Sequence, residues 1–125
     1  MTNLLQTGSQ WLSDQLSAHA ATEVQYVRGL EQALIRATIG KTEFEIENGA
    51  GLIERVQTRD YLIKAPQLVL GGSPTLPKPG DRIYETDGNV TLVYEVLSLG
   101  TQPCWRYSDP HRQLLRVHTK QIASN

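Results

Sequence analysis

The residues able to carry chemistry are few and poorly grouped. The histidines are His19, His111 and His118. No two stand at the i, i+4 spacing with which a helix presents a metal pair. His19 falls near the end of a helical segment, where a partial positive charge is favourable, and reads as an ordinary helix-end residue. Ser108, Asp109 and His111 crowd around Pro110. Members of a catalytic triad converge from separate segments, so this cluster reads as a turn. The lone cysteine, Cys104, sits between Pro103 and Trp105. It cannot form an internal disulfide or a cysteine-rich zinc site, and its default is a buried, inert thiol. Gly49-Ala50-Gly51 lacks the third glycine and the following helix of a dinucleotide fingerprint. Gly71-Gly72-Ser73 is not followed by Gly-Lys-Ser/Thr. Neither opens a helix whose N-terminus would hold a phosphate. The expectation is no catalytic residue, no cofactor and no metal.

Charge placement is more informative. Residues 41–54 carry Glu43, Glu45, Glu47 and Glu54 against Lys41. Residues 101–125 carry Arg106, Arg112, Arg116 and Lys120 against Asp109. In a strand, side chains alternate between faces. Glu43, Glu45 and Glu47 then share one face, and Phe44 and Ile46 the other. If 112–120 is extended, Arg112, Arg116, His118 and Lys120 share a face opposite Leu115 and Val117. Charged outer faces are normal for sheets. The functional reading is a head-to-tail contact, in which the acidic edge of one subunit meets the basic edge of the next and closes a ring. A basic face flanked by Trp105 and Tyr107 is also compatible with single-stranded nucleic acid.

Elements must position these faces. At ~100° per residue, Leu4, Leu5, Trp11, Leu12 and Leu16 fall in one arc, so residues 1–20 predict an amphipathic helix with Asn3 and Gln6 as a capping box. Its apolar arc packs on the domain or docks on a partner. From Glu23 the pattern turns to β-formers, with a turn at Gly29-Leu30-Glu31 and a hairpin ending near Ile39. From Lys41 the alternation is sharper, and it exits at Asn48-Gly49. Leu52–Arg59 is a strand that Tyr61–Ile63 continues or follows. Three prolines and three glycines in residues 71–80 predict a flexible loop without regular structure. Asp87-Gly88 marks a hairpin between Arg82–Glu85 and Val90–Leu97. The last of these strands is apolar on both faces, hence central. Trp105–Tyr107 and Leu114–Gln121 flank the turn at Ser108-Asp109-Pro110.

The sum is mainly β (α+β by count): a compact antiparallel β-barrel or sandwich of about seven short strands over 22–122, with one N-terminal helix. The chain has 125 residues and a net charge of −1, which fits one domain over 1–125. Near-neutral charge argues against a dedicated nucleic-acid binder. No apolar run approaches the ~18 residues of a bilayer helix, so no membrane contact is expected. The start lacks the basic and apolar blocks of a signal peptide, and one cysteine suits a reducing compartment.

The ordered set resembles the head–tail joining, or head-completion, proteins of long-tailed phages, especially the lambda-type tail-attachment family. The matching pieces are the helix Asn3–His19, the hairpin Glu23–Ile39, the stretch Glu43–Ile46, Thr58-Arg59-Asp60-Tyr61-Leu62-Ile63, Pro79-Gly80-Asp81-Arg82-Ile83 and Val93-Tyr94-Glu95-Val96. The Gly-Asp turn followed by a hairpin and a Tyr-x-Val strand is the most family-like part. The resemblance spans most of residues 3–107 and leaves out the C-terminal hairpin. It implies a structural, non-enzymatic protein of the virion head–tail junction, made in the host cytoplasm. Its partners would be the portal or connector, the tail proteins and further copies of itself. It would be a monomer in solution that forms a ring on the particle, with DNA only passing through the channel. The runner-up is a small β-barrel binding module that recognises a protein or single-stranded nucleic acid through its basic C-terminal strand. A small enzyme using Cys104 or a histidine comes third.

Overall fold

The computed structural model describes residues 21–47 and 49–124. Nine strands follow one another: β1 (Ala21–Arg28), β2 (Glu31–Glu47), β3 (Ile53–Lys64), β4 (Val69–Leu70), β5 (Ser73–Pro74), β6 (Arg82–Asp87), β7 (Val90–Val96), β8 (Trp105–Tyr107) and β9 (Leu114–Ser124). A single 3-10 turn, Ala65–Gln67, follows β3. There is no α-helix among the described residues, and the helix expected over 1–20, with its leucines and Trp11, lies outside them.

Seven strands form one antiparallel sheet in the order β3-β2-β1-β6-β7-β9-β8, and β9 also pairs with β3. The sheet therefore curls into a nearly closed ring. Both two-residue hairpin turns, Gly29-Leu30 and Gly88-Asn89, put glycine first, with φ of 59° and 63°. Only glycine takes that left-handed conformation without strain, and this is its place in the tight turns that match strand twist. Inside the ring, Val24, Tyr26, Ile35, Ala37, Tyr61, Ile63, Ile83, Val96, Leu115 and Val117 are buried. Along β2 and β3 they are alternate residues, as a sheet with one core face requires.

Three elements differ from their sequence reading. The strands are longer than expected: β2 runs 17 residues, β3 12 and β9 11. The hairpin strand ending near Ile39 and the sharper alternation from Lys41 are one strand. Gly40 is no break. It sits within the ladder opposite Asp60, and a Cβ there would lie 3.4 Å from the Arg116 guanidinium. A strand glycine of this kind marks a close approach. Second, residues 71–80 are not wholly irregular. Gly71 and Gly72, with φ of 61° and 81°, turn β4 into β5, and Pro74 is tolerated in so short an edge strand. Third, β9 is covered on both faces over residues 117–119, so it does not offer a solvated side there.

The pairing of β3 with β9 spans Arg59–Lys64 against Leu114–Thr119 and stops. The pairing of β1 with β2 stops at Thr38. Beyond both limits β2 and β3 continue together as a two-stranded arm, Glu43–Glu47 against Ile53–Gln57. The core beneath it is buried, so truncation there should be costly. Leu115→Ala, at a fully buried position on β9, is expected to lower unfolding free energy by about 2–5 kcal/mol in urea titration. A loss under about 1 kcal/mol would show that β9 does not close the core.

Candidate interaction site

The alternation along β2 fixes the faces of the arm. Ile35, Ala37 and Ile39 point inward, so Lys41, Glu43, Glu45 and Glu47 prolong the inward face past the end of the barrel. All four are exposed there. Directly opposite residues in an antiparallel ladder share a face. Gln57, Arg55 and Ile53 therefore join the glutamates, and Arg55 Nε lies 3.6 Å from Glu45 Oε1 in an exposed pair. Such a pair contributes little. The opposite face carries Phe44, Ile46 and Val56, all half-buried. Phe44 stands edge-on to the His118 ring with centroids 5.0 Å apart, and Ile46 Cγ2 lies next to Gly100. At the tip, Leu52 and Ile53 are 65% and 72% exposed.

A buried carboxylate anchors the base of the arm. Asp60 is inaccessible to solvent and stands opposite His118 in the β3–β9 register. His118 Nδ1 and Arg116 Nη1 each lie 2.9 Å from its oxygens. Thr58 donates at 2.7 Å, and Thr42 of β2 donates as well. Burial alone would raise the Asp60 pKa. The bonds from His118, Thr42, Thr58 and Arg116 outweigh it and hold the carboxyl at about 2. The cluster thus ties β2, β3 and β9 at one point.

The barrel mouth lies just inside the arm. Arg59 Nη2 bonds both Glu85 oxygens at 2.9 Å, and the Tyr61 hydroxyl donates to the same carboxylate at 2.9 Å. The Arg59 guanidinium also covers the Tyr94 ring, 4.9 Å from its centroid. These groups cap the core. Above them opens a cleft of about 680 Å3 between β3 and β9, with Lys41, Arg59 and Lys120 on its walls.

At the other end of the barrel, Arg28 forks onto Asp81 through Nε at 2.9 Å and Nη2 at 2.7 Å. It also bonds Thr75 Oγ1 and the Leu76 carbonyl. The Tyr26 hydroxyl and the Lys78 amide donate to Asp81. Burial raises the pKa of Asp81, and these donors, Arg28 first, bring it net below the usual carboxylate range. The segment expected to be flexible is thus fastened at Thr75, Leu76 and Lys78. The Gly80-Asp81 turn forms as the sequence suggests, while its partners Tyr26 and Arg28 carry no local signal.

The proposed basic face is not assembled as a solvent stripe. His118 is buried and Arg116 is largely covered, and Asp60 takes both. Arg112 lies outside β9 in the turn, at φ 58°, with its guanidinium 5.9 Å from the Tyr107 ring. Arg106 and Lys120 are exposed. Trp105 and Tyr107 meet edge-on at 5.0 Å and pack against the core. Cys104 is buried beside the Pro77 carbonyl, and burial raises its thiol pKa. Among the described residues, no group of three or more His, Cys, Asp or Glu side chains is placed to hold a metal.

A rigid, nearly closed β ring carrying an exposed acidic arm has the build of a module that makes contacts. The chain belongs to the phage head-tail joining protein family, whose model matches residues 2–125. That family is structural and normally non-enzymatic. Membership implies head and tail components as partners and the head–tail junction of the virion as the place of action. No curated protein matches the chain.

The Asp60 cluster gives a pH test. The folded pKa lies below the unfolded value of 3.8. Its stabilisation is therefore complete above about pH 4 and lost as pH falls toward 2. Asp60→Asn should destabilise by about 3–5 kcal/mol, the range for removing one partner of a buried pair. The variant should also lose less further stability between pH 4 and pH 2 than the parent in urea titrations. Equal slopes for the two would rule out Asp60 as an ionised anchor.

Proposed function

We propose that the chain assembles as a ring at the junction, holding the portal or connector on one side and tail proteins on the other. Each copy joins as a folded monomer made in the host cytoplasm, and DNA meets the ring only in passing through its channel. The family match over nearly the whole chain carries this reading. The arm supports contact through copies of the chain: it projects beyond the core, bears four glutamates against one arginine over 43–57, and exposes two large apolar residues at its tip. Heterologous contacts of this kind close into rings when the rotation allows.

Of the strand face expected to meet the acidic one, Arg112, Arg116, His118 and Lys120, only Arg112 and Lys120 are exposed, and Arg106 is exposed nearby on β8. Those three remain candidates for contact with a neighbour. The nucleic-acid reading loses most of its surface, because His118, Arg116, Trp105 and Tyr107 are occupied within the fold.

The test is charge reversal on the arm. Glu43→Lys, Glu45→Lys and Glu47→Lys together alter only exposed side chains, so the monomer should keep its unfolding curve. Like-charge contacts cost several kcal/mol at an interface. Joined particles in a complementation assay should therefore fall about tenfold or more. Wild-type yields from the triple variant would end the role of the acidic face.

A further inference from the structure

Two strand edges face each other across the mouth cleft, and among the described residues no strand lies between them. The β3–β9 ladder ends at Arg59 and Thr119. Past that point β9 runs on to Ser124, paired on its other edge with β7. β3 runs back to Ile53, paired on its other edge with β2. Among the described residues, no strand pairs with the inner edge of 120–124 or of 53–58. The cleft between them is lined by Gln57 and Thr58 on one wall and Lys120 and Gln121 on the other. Bare edges present rows of backbone donors and acceptors and are templates for another strand.

We infer that this cleft receives the arm of a second copy of the chain, whose β2 edge at Glu43–Glu47, unpaired among the described residues, pairs with β9 at Lys120–Ser124. This rests on the ring reading above. Two observations choose that occupant. The cleft walls carry Lys41, Arg59 and Lys120 and no carboxylate, while the arm carries Glu43, Glu45 and Glu47 on one face. Arg59 is engaged with Glu85, and Lys120 stands opposite Glu95 of β7, so Lys41 is the cation that supplies the attraction. Finally, the arm is itself one wall of the cleft, so it cannot fill its own. A surface that needs an arm and an arm that needs a surface, placed apart on one molecule, make a heterologous contact.

The test is cross-linking in joined particles, with buried Cys104 replaced by Ser. Glu45→Cys and Gln121→Cys are both at exposed positions, and a short bismaleimide tolerates the exact register. The double variant should give a ladder of covalent multimers. Particles built from a mixture of the two single variants should give dimers and nothing larger, and either single variant alone should give monomers. Dimers from the Glu45→Cys variant alone, or no links in particles that do join, would overturn the contact while leaving the joining role intact. If removing the chain left head–tail joining unaffected, the ring reading itself would fall. Monomers in which the amides of 120–124 that point away from β7 already resist hydrogen exchange would place the chain's own residues in the cleft, and would also overturn the contact.

Discussion

Closure of the sheet depends on one carboxylate. Asp60 lies at the seam where β3 meets β9, 58 residues apart in the chain, and accepts from both strands and from β2. An isolated buried charge costs several kcal/mol even after relaxation. Four donors convert that cost into a fixed geometry: the strands must arrive in the one register that satisfies the oxygens. The same point is where the ladder stops. Below it the sheet closes over Tyr61, Ile63, Leu115 and Val117. Above it β2 and β3 leave β9 and become the arm. The edge that can make contacts therefore exists because the seam is pinned at a single level and left open beyond.

The two ends of the barrel are finished by ion pairs rather than by apolar plugs. Arg59–Glu85 spans the mouth from β3 to β6, and Arg28–Asp81 clamps the segment after β5 at the far end. Both carboxylates are mostly covered, and each also accepts from a buried tyrosine. Burial raises the pKa of Tyr61 and of Tyr26 and keeps each a hydroxyl donor. Full satisfaction of this kind rigidifies a core and specifies one arrangement. The arm contrasts with it. A two-stranded hairpin is marginal alone, and this one leans on the body through Phe44 over His118 and Ile46 beside Gly100. Rigid base and exposed arm suit a protein that must fold before it meets its neighbours.

Local patterns were legible, and long-range ones were not. The turns at Gly29 and Gly88, the alternation of Glu43–Glu47 and the Gly80-Asp81 turn follow from rules spanning a few residues. The family resemblance drew on the order of such pieces, and the family match agrees with it. What could not be read was what covers each face. Period-2 logic put Arg116 and His118 on the face opposite Leu115 and Val117, which is correct. It could not foresee that Phe44 and Asp60, from β2 and β3, would cover that face. For the same reason Gly40 carried no signal of its own. Its meaning lies in the Arg116 side chain crossing it, a contact between residues far apart in the chain. The acidic stretch was legible as one face, while its continuity with the barrel interior appeared only with the fold.

The most direct measurement is an electron cryomicroscopy map of the head–tail junction in particles carrying this chain. A ring of barrels, each with its β2–β3 arm seated against β9 of the adjacent copy, is the expected result. Barrels separated from one another, or arms directed at another protein with the β9 edge left bare, would contradict the view that the open seam is where one copy holds the next.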